Sequence, residues 1–247
     1  MRYSQYLPTI SMLSLLAVWQ LSAVIAESPL LPSPRQVMMV FIAEIHSGQL
    51  PYNLGVTLIR VATSFLLAMT LGSTFGILLG RDQSLDKFFD NWLIIFLNIP
   101  ALVTIILCYV WFGLVESAAI FAVVVNKLPN VVVTLREGTR VLDRDLIEMA
   151  ESYQFNKTKT LCHVIWPQLY PFVIAASRTG LALIWKIVLV VELLGRSNGM
   201  GYQLHLFFQL FDVASILAYT VAFIGVIQLI ESLILKPMDR HASRWRR

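Results

Sequence analysis

The residues of this chain that could do chemistry sit where charge is costly to keep. Arg178 and Lys186 lie eight apart near one face of an apolar segment, and Glu192 follows six residues later. Lys127 stands inside a second apolar segment, and Asn98, Pro100 and Thr104 interrupt a third. An ionisable group at the middle of a membrane costs at least about 2.5–3.5 kcal/mol, so such groups turn toward water, protein or a solute. Two readings of this set stay open. In one, Lys186 or Arg178 attracts an anion crossing the membrane. In the other, the cations are paired internally, or Arg178 reaches the cytoplasmic boundary along its own stem. Helices broken within the membrane line solute routes, which makes Asn98, Pro100, Thr104, Lys186 and Glu192 the candidate pathway set. A kink filled by neighbouring helices would leave the same pattern at Asn98–Pro100.

Other chemistries find no support. There is no HExxH, and His46, His163, His205 and His241 are scattered outside the apolar spans. An intramembrane metalloprotease or serine protease therefore lacks its residues, and no metal cluster is indicated. Cys108 falls in an apolar span and Cys162 in a polar loop, a placement that suggests neither a disulfide nor a metal pair. None of the twelve glycines precedes a lysine, so the chain has no phosphate-binding G-K-[ST] loop. No cofactor is expected. The net charge of +4 resides in loops beside apolar spans rather than in a patch, which argues against nucleic acid as a partner.

The elements that must hold these groups are helices in lipid. Of the 247 residues, 57% are hydrophobic and only 14% charged, and the mean hydropathy is +0.71. A soluble domain carries about 25% charged residues. About twenty apolar residues cross the hydrocarbon core, and six stretches qualify: 9–26, 58–80, 91–113, 117–135, 169–194 and 213–235. The first, ended by Glu27 and SPLLPSP, competes with a signal-peptide reading and is kept as a helix, because it is long for a signal core and lacks a small-residue cleavage site. Gly72, Gly76 and Gly80 recur every four residues in the second, a stripe that lets helix backbones approach closely. With the N-terminus inside, thirteen Lys and Arg fall on the cytoplasmic side and only Arg35 and Arg196 outside. That asymmetry sets the orientation, with both termini in the cytoplasm of a bacterial-type inner membrane.

One polar stretch breaks the apolar pattern, the 32 residues from Arg136 to Pro167 between the fourth and fifth spans. Leu146, Ile147, Ala150 and Tyr153–Gln154 recur at helical spacing after Asp143. Asn156 then reads as the cap of a second short helix, Lys157–Ile165, that Pro167 ends. Two short helices facing the cytoplasm form either a docking knob or a solvated connection.

This stretch resembles the EAA loop of permease subunits of binding-protein-dependent ABC importers. Glu148-Met149-Ala150 stands for the Glu-Ala-Ala triplet, and Ile165-Trp166-Pro167 for the apolar-Leu-Pro ending. Further segments are similar to the nitrate, sulfonate, taurine and bicarbonate branch: Leu31–Val37, Ile99-Pro100, Trp111-Phe112-Gly113, and Val191–Gly195 with Asn198–Tyr202. The resemblance covers residues 30–235. Met149 replaces an Ala, Trp166 a Leu, and Gln154 occupies a position where the family has Gly, whose backbone freedom makes the turn between the two loop helices. The resemblance implies an all-α membrane protein of about six transmembrane helices with a cytoplasmic coupling loop, 136–167. It also implies two cytoplasmic ATPase subunits, a second permease subunit (a homodimer, or a heterodimer with a paralogue), and an extracytoplasmic solute-binding protein. Glu148, Ala150, Gln154, Phe155 and Pro167 would then couple to the ATPase. Glu148 could instead bridge to Arg144 or cap a loop helix. The solute would be a small anion of the branch, with neutral or cationic vitamin precursors as the alternative. A stand-alone secondary transporter is the rival class.

Overall fold

The computed structural model describes residues 7–237. Arg2, Arg240, His241, Arg244, Arg246 and Arg247, part of the charge and histidine readings above, lie outside them. The described residues form helices only: α1 (Leu7–Ala26), α2 (Pro34–His46), α3 (Gln49–Arg81), α4 (Gln83–Asn98), α5 (Ala101–Phe112), α6 (Glu116–Arg140), α7 (Arg144–Ser152), α8 (Lys157–Thr160), α9 (Trp166–Gly195), α10 (Met200–Gln209) and α11 (Val213–Ile230).

Among the described residues, four helices are long and apolar enough to cross a membrane: Gln49–Arg81, Glu116–Arg140, Lys157–Gly195 and Val213–Leu233. α4 and α5 pass the same test only as a pair and are bent by 96° at the intervening break. The interruption expected at Asn98–Pro100 in the 91–113 span is thus a sharp corner between two helices. Pro100 supplies no N–H there, and Ile99 and Pro100 are extended rather than helical. The 9–26 segment is helical, but its apolar run Ile10–Ala26 is shorter than the four long helices. It packs against α2 and shows most of its side chains to the surroundings.

The centre of the protein is the α3–α6–α9 bundle. The glycine stripe places α3 almost in backbone contact with α6. A Cβ at Gly72 would sit 2.7 Å from Val131 Cβ, and one at Gly76 would sit 2.6 Å from the Val132 carbonyl oxygen. At Gly80 the obstacle would be Thr139 Cβ, 2.5 Å away. Lipid gives helices no hydrophobic reason to associate, so this close van der Waals fit is what holds them. α9 closes the other side of α6, with the Phe172 ring filling the space left by Gly138. A cluster including Ile105, Cys108, Ala122, Ile184 and Val188 joins α5 to this seam.

α8 and α9 are one helix. The second loop helix does not stop at Pro167 but runs on through a π-helical turn, Leu161–Ile165, into Trp166–Gly195. Pro167 sits in the first turn of α9. The wider π turn takes up the missing N–H and the ring's clash with the preceding turn, so the proline bends the ladder without ending it. Arg136, Glu137 and Arg140, read as loop, belong to the last turns of α6.

Candidate functional site

Two constellations stand out, at opposite ends of the bundle. The first is the elbow between α6 and α9. Asp143 caps α7, its carboxylate accepting from Asp145 N at 2.9 Å and from Leu146 N. Its own N–H donates to Gln168 Oε1 at 2.8 Å, which fastens the elbow to the start of α9. The far end of α7 closes with two bonds, Phe155 N to Ala150 O and Gln154 N to Glu151 O, both 2.9 Å. That pair is a Schellman closure, which puts the residue at Gln154 in the left-handed region. Gln154 indeed has φ +52°. Asn156 then caps α8, accepting from Lys159 N at 2.8 Å.

The elbow keeps one face in and one face out. Ala150 is fully buried, and Phe155 is half-buried with the Lys159 ammonium 3.9 Å over its ring. Glu148, Met149, Tyr153 and Gln154 are exposed, Tyr153 by 73%. Among the described residues Glu148 makes no ion pair with Arg144, and the cap of α7 is Asp143, so neither local role holds Glu148.

The second constellation lies at the opposite end of the bundle, between the N-terminal parts of α3 and α6 and the C-terminal part of α9. Arg60 is 3% exposed and Glu192 is not exposed at all. Arg60 Nη1 donates to Glu192 Oε1 at 2.8 Å and to Asn198 O at 2.9 Å. Its Nε and Nη2 form a fork with the Glu116 carboxylate at 2.6 and 2.9 Å, and Nη2 also reaches Asn198 Oδ1 at 2.5 Å. Arg196 approaches Glu116 from the other side at 2.9 Å. Glu192 also accepts from Thr57 Oγ1 at 2.9 Å and Gly201 N at 2.8 Å. A buried carboxylate or guanidinium is tolerable only with its lone pairs and protons matched in this way.

The same groups seize the turn before α10. Gly199 N donates to Asn53 Oδ1 and Met200 N to Thr57 Oγ1, each at 2.8 Å. Together with Gly201 N these are the orphan donors of a helix start, where a carboxylate is favoured. Gly199 is at φ +105°, and a side chain there would collide with the Glu192 carboxylate. The Asn198-Gly-Met-Gly segment is thus shaped to fold over Glu192.

A membrane bundle with a capped elbow matches known proteins. Residues 72–245 match the family described as binding-protein-dependent transport system inner membrane component. The chain belongs to that family. Within it the permease falls in the nitrate, sulfonate and taurine branch of ABC transporters. It is 28% identical to the aliphatic sulfonates transport permease protein SsuC of Bacillus subtilis, over 94% of this chain and 84% of that one. It is 30% identical to the SsuC protein of Escherichia coli, over 76% and 72% respectively. Its fold is similar to a solved structure, the inward-facing MetNI methionine ABC transporter, with a TM-score of 0.65 and 16% identity, over 79% of this chain and 98% of that one.

The expected pathway residues do not converge in the permease. Asn98 is exposed at the α4–α5 corner, its Nδ2 donating to Ile94 O at 2.7 Å. Thr104 lines an apolar groove of about 460 Å³ with Trp92, Phe96, Trp111 and Phe121, a lining unsuited to an anion. Lys186 is exposed on the outer surface of α9, and Arg178 pairs with Glu231 of the helix continuing α11 at 3.5 Å. Of the expected pathway residues Glu192 alone joins a built site; its partners Arg60 and Thr57 were not among the candidates, and Gly201 entered only through the Asn198–Tyr202 resemblance. The signal was present: Asn53, Thr57, Arg60 and Ser64 recur at four, three and four residues, a polar stripe along one face of α3. The apolar run from 58 takes in Arg60 and Ser64 but leaves out Asn53 and Thr57, which divides the stripe.

Proposed function

We propose that this permease subunit forms the membrane pathway of an ATP-driven importer for a small anion of the sulfonate, taurine, nitrate or bicarbonate class. An extracytoplasmic binding protein delivers the solute. Two ATPase subunits seat on the elbows of two permease copies, one elbow each. Glu148, Gln154 and Phe155 meet the ATPase, with Ala150 and Pro167 fixing the elbow's shape. The N- and C-termini face the cytoplasm.

The observation that carries this reading is the continuity of the elbow with the outer charge cluster. Lys157–Gly195 is a single helix of 39 residues, about 58 Å at 1.5 Å per residue. Its inner end is the α8 capped by Asn156, and near its outer end stands Glu192, tied to α3 and through Arg60 to α6. Movement imposed on the elbow reaches the far side as a tilt of one stiff rod. Closure of an ATPase pair thereby shifts the bundle between inward and outward access, provided nucleotide binds the two states unequally. The exposed Met149 and Tyr153 supply the apolar contact such a partner would cover.

The test is disulfide crosslinking in a background with Cys108 and Cys162 replaced. Gln154→Cys and Glu148→Cys should each crosslink to the co-purified ATPase, with yields that change on adding ATP. An intact complex whose elbow never crosslinks, or solute uptake by this chain without any ATPase, would refute the proposal.

A further inference from the structure

Of the two cations buried among the described residues, Arg60 is fully matched and Lys127 is not. Lys127 lies eleven residues into the 25-residue α6, at the middle of its crossing, and is 2% exposed. No hydrogen bond or ion pair to it is formed among the described residues. An ammonium carries three donors, and a lysine held this deep with none of them matched by the protein is costly to keep.

The space around the ammonium is provided by α9. A Cβ at Gly180 would stand 3.0 Å from Lys127 Cε and 3.8 Å from Nζ, with the Phe65 ring 3.7 Å away. The tip of the lysine therefore lies on bare backbone, at a point where any side chain would crowd it. Ser64 on α3 is fully buried with no partner for its hydroxyl, and Ser177, one turn before Gly180, makes only a weak contact to Met69 sulfur at 4.0 Å. The α6–α9 seam at this level is closed by small and apolar groups, whereas its outer end is clamped by the Arg60–Glu192–Glu116 cluster.

We propose that Lys127 coordinates the anionic group of the transported solute midway across the membrane, with Gly180 keeping open the space they share. This rests on the transport reading above and assigns its charge-reading residue. A sulfonate or similar oxyanion presents acceptors to the three ammonium donors. The lone charge also gives the solute leverage. The closed seam leaves the ammonium without a partner, so an anion that reaches it favours the conformation in which α6 and α9 have parted below the outer clamp. That is the differential affinity by which a ligand shifts a conformational equilibrium.

The complex purified through a tag on this chain is heated in lipid nanodiscs at constant ionic strength, with methanesulfonate or its neutral isostere dimethyl sulfone. Methanesulfonate should raise the midpoint and dimethyl sulfone should not. Lys127→Met should abolish the difference, Lys127→Arg should keep it, and Gly180→Leu should weaken it. Uptake of labelled methanesulfonate into proteoliposomes should fall at least about tenfold in Lys127→Met, the loss expected for one charged hydrogen bond, with the ATPase still bound. A Lys127→Met complex that responds as the wild type does, or a wild type blind to the charge of the probe, overturns the assignment. Should Lys127→Met fail to assemble, an unchanged response in Gly180→Leu overturns it instead. Wild-type stabilisation without ATP-driven uptake would sink the importer reading and leave the site. Uptake unaffected by Lys127→Met would sink the site and leave the importer.

Discussion

At the scale of single residues, the outer cluster and the elbow make opposite uses of a costly conformation or charge. Removing one member of a buried ion pair costs about 3–5 kcal/mol, because its partner stays buried and unmatched. Arg60→Met leaves Glu192 with Thr57 and the Gly201 N–H but no cation, and a marked drop in the thermal midpoint of the detergent-solubilised protein is expected. Arg60→Met combined with Glu192→Gln should recover part of that loss, since the amide still accepts from Gly201 without carrying charge. A double variant less stable than Arg60→Met would show that the pair is not the source of the stability. At the elbow the expense is conformational. Gln154 holds φ +52° where a non-glycine residue bears about 1–2 kcal/mol. Gln154→Gly should relieve part of it, offset by the greater freedom glycine loses on folding, and raise the midpoint by about 2 °C. Should Gln154→Gly stabilise the chain yet weaken ATPase association, the glutamine side chain is itself a contact.

Among the elements, the close-approach face of α3 is the feature that spacing alone made legible, since glycines four apart on a helix must share a face; that α6 is the helix seated on it is visible only in the packing. Gly76→Val would drive a side chain into the Val132 carbonyl, and loss of monodisperse protein on size exclusion is expected. Gly55→Val and Gly225→Val, where a Cβ meets nothing within 4 Å, should leave the elution unchanged. Equal damage at all three would mean that helix propensity, not helix approach, decides. The cap Asn156 was legible for the same local reason; the cap role of Asp143 was not read, and the turn at Gln154 was expected only from the glycine that the family resemblance places there. What was not legible depends on contacts between elements. Pro167 looks like a stop because a one-dimensional reading has no way to see the π turn that absorbs it. Lys127 and Lys186 look alike in an apolar string, and only the packing of α9 buries one and exposes the other. Arg60 lies inside the 58–80 span, but its partners Glu116, Glu192 and Asn198 come from other elements, and no local pattern joins them to it.

For the molecule as a whole, the two ends must lie on opposite sides of the membrane for the long helix to act as a rod between them. The proposal that the elbow end is inside rests on the distribution of charge: Arg81, Lys87, Arg136, Arg140, Arg144, Lys157 and Lys159 gather at that end, against Arg196 at the other. Ion pairs hold several of these in place, Arg136 to Asp90 at 2.7 Å and Arg140 to Asp86, so that α4 and α6 enter the boundary together. The native cysteines make the orientation measurable. Cys162 is exposed on the helix leaving the elbow, and Cys108 is buried. A membrane-impermeant maleimide should therefore label the wild-type chain in inside-out vesicles and leave it untouched in right-side-out ones. Ser197→Cys in a Cys162→Ser background, placed on the exposed turn beside Arg196, should show the reverse. Labelling of Cys162 from the outside would put the elbow beyond the reach of any cytoplasmic ATPase. Labelling of both positions from the same side would be equally decisive, because Lys157–Gly195 would then not cross the membrane, and no push on Glu148 or Gln154 could be felt at Glu192.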